Sequence, residues 1–289
     1  MRALLKHATF DLDLHTTPEL EGLLGEAVAE RQQIHGWPFS AVERLTTASG
    51  RRWIYKTQRT PTFEPDFYER AASPLLPASR LLTRDETYST MLFEFVDAPL
   101  IRDLQLSDAE LARHGRALVE AIGRVEAEVP VYIDVSNMAL WTAFVEATLA
   151  MLSELVADGR LTLNVEADVT DVAAWAASAD LRNLIERTAR LTHGDLNPGN
   201  VFILGDGYRI IDWQRPQLAP ADVDLVALLE GRPDLFRHAP AAAIGVFYLL
   251  RLYWAVNAKA NLLPNVRGLF DRWSSDAIGF IRRAATASV

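Results

Sequence analysis

The chain contains no cysteine. That excludes disulfides, thiolate metal sites and a cysteine nucleophile, and it accords with a reducing compartment. The N-terminal stretch MRALLKHATFDLDLH has no apolar segment of signal-peptide length before Asp11 and Asp13. The most apolar later stretch, AAAIGVFYLL, is interrupted at Arg251; it reads as a buried helix, too short for a bilayer. No basic run occurs and the net charge is −9, unlike the basic footprint of a nucleic-acid binder. An acidic surface can steer cationic substrates, but solubility alone accounts for the charge. The expectation is a cytoplasmic protein with neither nucleic acid nor membrane as partner.

What is present suits a globular protein of two lobes. The 289 residues are 49% hydrophobic and 23% charged, ordinary for a globular protein and long for a single core. Residues 17–35 have helical spacing behind a Thr-Pro-Glu start. From about residue 40 the pattern turns strand-like: FSAVERLTT, a turn at Ser49-Gly50 and RRWIYKT read as a hairpin. YERAASPLL suggests a short helix and SRLLTRDETYSTMLFEFV two further strands. Past Asp97-Ala98-Pro99, residues 107–128, 139–157 and 171–190 read as helices, NVFILGDGYRIIDW as an embedded hairpin, and residues from about 222 onward as helices again. The fold class is therefore α+β: a strand-rich lobe over residues 1–98 and a mostly helical lobe over 99–289, with a hinge near 94–99.

The chemistry concentrates in LTHGDLNPGNVFILGDGYRIIDWQ, residues 191–214. Gly205-Asp206-Gly207 supplies the backbone freedom of a tight hairpin. Counted outward from Asp206, Asn200 and Asp212 are equally distant. A symmetric hairpin would set them opposite each other, with Cβ atoms roughly 4.5–5.5 Å apart. An amide oxygen and a carboxylate so placed can share a hard cation such as Mg2+, which keeps waters and phosphate oxygens in its shell. Asp195 precedes Asn200 by five residues, with Pro198-Gly199 turning the chain between them. Its carboxylate could accept a hydroxyl proton. Singly these residues are as easily turn and cap residues; their joint order is what carries information.

HGDLNPGN resembles the kinase catalytic-loop motif H-x-D-x-x-x-x-N, and Gly in place of Arg after His193 resembles the aminoglycoside phosphotransferase and choline kinase family. IIDW resembles that family's metal-binding segment, and APADVDLVALL the stretch that follows it. The resemblance is close over residues 191–229 and looser elsewhere. It implies a bilobed protein-kinase-like fold and a small-molecule kinase that uses Mg2+ and ATP (or GTP). By position, Asp195 would be the catalytic base, Asn200 and Asp212 would hold magnesium, and His193 would brace the loop. Asp224 would either buttress that loop or simply be a carboxylate at a helix N-terminus.

In the N-terminal lobe, the resemblance assigns Lys56 to the α- and β-phosphates, with Glu69 as its ion-pair partner. It places the adenine edge against the backbone of Glu94, Phe95 and Val96. A G-x-G-x-x-G loop is absent before Lys56; LTTASGRRW leaves the backbone of Ser49 and Gly50 to meet phosphate. Tyr253 and Trp254, in FYLLRLYWAVNAK, could wall an acceptor pocket and recognise a cation, though core packing is the simpler role for them. The acceptor itself, an alcohol of small-molecule size, is not specified. A non-catalytic nucleotide-binding or regulatory relative is the alternative, without support from any lost polar residue. A protein kinase is disfavoured by HGD and DW in place of HRD and DFG, and by the lack of an APE segment.

Overall fold

The computed structural model describes residues 4–60, 62–126, 128–163 and 166–287. The chain forms two compact units, one of residues 1–104, 125–130 and 199–214, the other of 105–124, 131–198 and 215–289.

The first unit opens with a two-stranded antiparallel pair, β1 (Leu4–Lys6) and β2 (Asp13–His15), followed by helix α1 (Thr17–Leu24). The Glu19 carboxylate accepts from the Thr16 N–H at 2.8 Å and from the Thr16 hydroxyl at 3.0 Å, which fixes the helix start. The helix expected over residues 17–35 ends early. Gly25 takes a left-handed φ of 75°, a helix-stopping cap, and residues from Val28 onward pair with a strand instead. That strand, β3 (Val28–Trp37), begins a five-stranded antiparallel sheet with β4 (Ser40–Thr47), β5 (Arg52–Arg59), β6 (Ser79–Arg84) and β7 (Tyr88–Glu94), in the order β3-β4-β5-β7-β6. Helix α2 (Glu64–Arg70) lies in the link between β5 and β6.

Strand β5 places the site. Its period of two sends Tyr55 to one face and Lys56 to the other. Tyr55 is fully buried in a cluster with Leu14, Leu20, Leu45 and Leu92. Lys56 pairs in register with Val42 on β4 and Met91 on β7. A lysine in a central strand, only 5% exposed, needs a polar partner to offset its desolvation.

The second unit contributes α3 (Asp108–Ile122), β8 (Ile133–Asp134), α4 (Met138–Ala157), α5 (Glu166–Ala176), α6 (Ala179–Thr188) and β9 (Ala189–Thr192). The next hairpin, β10 (Val201–Ile203) and β11 (Tyr208–Ile210), packs with the first unit. The chain then re-enters the second unit through β12 (Gln217–Pro220), α7 (Asp222–Leu229), α8 (Ala241–Asn257) and α9 (Leu269–Ala287). Strand β12 pairs parallel to β8 and antiparallel to β9, a three-stranded sheet that hydropathy did not announce. The apolar stretch judged too short for a bilayer continues through Arg251 and into a π-helical turn at Ala258–Leu262. By length and composition alone it could cross a membrane, as could α4, but 67% of its apolar window is buried inside the protein, as in a core helix.

Candidate active site

In the first unit, Lys56 is the hub. Its ammonium lies 2.6 Å from Asp212 Oδ1 and 2.5 Å from Glu64 Oε2. Burial pushes the ammonium's pKa down, but the charges of Asp212 and Glu64 outweigh it and hold the pKa above the usual lysine value. Burial pushes the Glu64 carboxyl up, with Lys56 opposing.

The partner is thus Glu64 and not Glu69. Both belong to α2, five positions apart, or about 140° around the helix. Glu64 and Phe67 share the buried face, as residues three apart do. Glu69 lies on the exposed side, 3.5 Å from Arg84. Phe67 stacks on Trp213 with ring centroids 4.2 Å apart and an angle of 10°. Helix α2 therefore fastens both the lysine, through Glu64, and the IIDW segment, through Phe67.

The hairpin register differs from the symmetric one. Leu204 N–H bonds to Gly207 O at 2.9 Å, so Gly205-Asp206 forms a two-residue turn and Val201 faces Ile210. Asn200 then stands opposite Ile211, whose N–H it accepts at 3.0 Å, rather than opposite Asp212. Asp212 leaves the strand with φ 69°, the one non-glycine left-handed residue among those described. That conformation is unfavourable for an L-residue, and such strain concentrates at functional sites. Here it belongs to the carboxylate that meets Lys56. Asn200 and Asp212 are both oxygen donors. Asn200 is buried, and the Asp212 side chain is 34% exposed. Among the described residues no group of three or more His, Asp or Glu could close around a metal. Two oxygen donors at adjacent register positions fit Mg2+, which takes most of its shell from water and phosphate.

Gly50 lies in the β4–β5 turn with φ 84°, and its N–H bonds to Thr47 O at 2.9 Å. The Ser49 hydroxyl donates to Glu26 at 2.7 Å. At the end of β7, Glu94 still pairs with Trp53, and its N–H bonds to Ala78 O. Phe95 and Val96 follow the strand; the Arg52 guanidinium covers the Phe95 ring at 4.0 Å.

In the second unit the HGD loop leaves β9. Asp224, in the first turn of α7, is 1% exposed. One carboxylate oxygen accepts from His193 N–H at 2.7 Å, the other from Gly194 N–H at 3.2 Å. Burial pushes the Asp224 carboxyl up, while the neighbouring His193 and the His193 and Gly194 N–H groups oppose this. His193 Nδ1 accepts from Asp195 N–H at 3.2 Å, which leaves the imidazole's other nitrogen to carry the proton. Gly194 has φ 80°, and a Cβ there would collide with the Arg215 carbonyl oxygen. The glycine of HGD is thus a steric requirement, whereas the arginine of HRD would not fit.

Two residues around Asp195 escaped the sequence reading. Arg251, on α8, lies 3.6 Å from Asp195 Oδ1 and 2.7 Å from Glu230 Oε2. The only available signal was a lone charge inside a long apolar helix. Beside this loop is a recess lined by Tyr132, Gly194, Arg215, Gln217, Arg251 and Trp254, among others. Trp254 packs near Phe270 and Trp273 while also lining the recess, and Tyr253 packs near Phe144 and Tyr132; both are half-buried. Burial pushes the Tyr132 phenol up to about 12.

The fold is that of kinase-like small-molecule phosphotransferases. Residues 27–258 match the phosphotransferase enzyme family, APH, and the chain belongs to that family. No curated protein matches. Among solved structures, the chain is similar to a thermostable mutant of aminoglycoside phosphotransferase APH(4)-Ia in ternary complex with ADP and hygromycin B, at 16% identity over 93% of this chain and 98% of that chain, TM-score 0.62. It is also similar to a candidate fructosamine-3-kinase from Thermobifida fusca YX-ER1, at 17% identity over 94% and 98% of the two chains, TM-score 0.55. A choline/ethanolamine kinase family protein from Mesorhizobium loti matches at 17% identity over 89% and 88%, TM-score 0.58.

Proposed function

We propose that the protein transfers the γ-phosphoryl group of ATP to a hydroxyl of a small molecule, with Mg2+, in the cytoplasm. The observation that carries this reading is the buried Lys56 between Glu64 and the strained Asp212. A lysine so fixed is a positioned point charge, suited to the α- and β-phosphates of a nucleotide. ATP is preferred to GTP because the APH(4)-Ia structure holds ADP.

Asn200 and Asp212 would hold the magnesium, which neutralises charge on the phosphates when bound. The other steps belong to this chain's residues. Glu64 keeps Lys56 charged and aimed. Asp224 fixes the loop by two hydrogen bonds, and His193 orients the Asp195 backbone. Asp195 accepts the proton of the acceptor hydroxyl. The O–H bond breaks, an O–P bond forms at the γ-phosphorus, and the P–O bond to the nucleoside diphosphate breaks. The adenine edge would meet the backbone of Glu94, Phe95 and Val96, and Ser49 and Gly50 would border the phosphates.

The test is release of ADP from ATP and Mg2+ across a panel of hydroxyl acceptors. Asp195→Asn should lower turnover by about 10²–10⁴ while ADP binding persists. Undiminished turnover in that variant would remove Asp195 from the base role.

A further inference from the structure

The recess beside the HGD loop bears on the acceptor. Arg215 rests its guanidinium 4.9 Å above the Trp254 ring. That stacking uses the planar face and leaves the N–H edge for a ligand. Among the described residues Arg215 has no carboxylate partner and its guanidinium makes no hydrogen bond. Arg251 lines the same recess, and its Nε is buried without a hydrogen-bond partner. Gln217 is 4% exposed, and its Oε1 likewise lacks a partner.

These features run against an ammonium ligand. The aromatic face that would attract a cation is already covered by one, and a second cation lies alongside. The carboxylates near Arg251, Glu230 and Asp195, are engaged by it, and Asp224, which lines the recess, is held by the His193 and Gly194 N–H groups. An oxyanion, in contrast, would find the planar donor fork that matches it in two parallel hydrogen bonds.

The geometry points to an acceptor that is a hydroxy acid: its carboxylate binds Arg215 in this recess and its hydroxyl goes to Asp195, next to Gly194. This rests on the kinase reading above. Covalently it adds nothing to that reaction: the hydroxyl proton passes to Asp195, the hydroxyl oxygen bonds the γ-phosphorus, and ADP leaves.

The experiment uses the full chain with ATP and Mg2+. The panel contains small hydroxy acids, their methyl esters, amino alcohols and an aminoglycoside, read by ADP release and by the thermal shift each compound causes with ADP and Mg2+. The inference expects a hydroxy acid to be turned over and its ester to be poorer by on the order of 10² in kcat/KM. In Arg215→Gln that preference collapses through KM, with kcat largely kept, and Arg215→Lys restores part of it. Turnover of amino alcohols or aminoglycosides in preference to acids, equal use of acid and ester, or neither turnover nor thermal shift with any hydroxy acid would overturn the inference. The kinase reading is judged separately, by Mg2+-dependent ATP binding and its loss in Lys56→Ala.

Discussion

Glu64 and Glu69 lie on one short helix, yet only Glu64 is buried against Lys56. Removing one member of a buried charged cluster leaves the other charge poorly compensated. Glu64→Gln should weaken ADP binding at least tenfold by calorimetric titration, whereas Glu69→Gln should leave it unchanged. Equal effects would show that Lys56 does not depend on Glu64. The helix start is what sequence reading lacked here: Pro61 and Pro65 interrupt the link, and the helix was expected only from YERAASPLL, past Glu64, whereas Pro65 sits in its first turn. His193, Asp195, Asn200 and Asp212, by contrast, stand in a dense motif whose spacing could be read directly. Gly194 makes a second residue-scale test. Because φ is 80° and a Cβ would strike the Arg215 carbonyl, Gly194→Ala should cost more than about 2 kcal/mol in denaturant unfolding. A smaller loss would mean that the loop relaxes easily.

At the scale of elements, helix starts were legible because caps are local. Ser107 and Glu110 form a reciprocal box at the start of α3, with Glu110 accepting from the Ser107 hydroxyl and N–H. Ser107→Ala should lower stability by about 1 kcal/mol and leave phosphotransfer unchanged, which thermal unfolding and the ADP assay would check. The short strands β8, β9 and β12 were not legible. Two to four residues carry no usable period, and their pairing is set by partners distant in sequence. The same cause produced the hairpin difference: Gly-Asp-Gly allows a turn centred on Asp206 or between Gly205 and Asp206, and one residue of register moves Asp212 out of the ladder. Helix α8 tests packing. A Cβ at Gly245 would collide with the Trp175 indole, so Gly245→Ala should destabilise by about 1–3 kcal/mol.

For the whole molecule, a strand-rich unit carries Lys56, Asn200 and Asp212, and a helical unit carries Asp195 and the recess. The order of elements made this α+β division readable; the return of residues 199–214 to the first unit depends on long-range contacts that no local pattern encodes. Nucleotide binding should stabilise the folded protein by mass action. ADP with Mg2+ at about 100 times its Kd should add roughly 2.7 kcal/mol, and removing the metal with a chelator should abolish most of the gain. The Lys56 pKa is held above the usual lysine value. A raised lysine pKa contributes fully below its unfolded value and is lost only as pH passes the folded one. ADP affinity should therefore stay flat from about pH 8 to 10; a decline within that window would contradict the ion-pair assignment.

The most direct measurement is ATP- and Mg2+-dependent phosphorylation of a small hydroxyl acceptor, with product identified by mass and compared between the natural protein and Asp195→Asn. The account predicts a product heavier by one phosphoryl group, formed about 10²–10⁴ times more slowly in the variant. A phosphorylated product formed equally fast by both would contradict it.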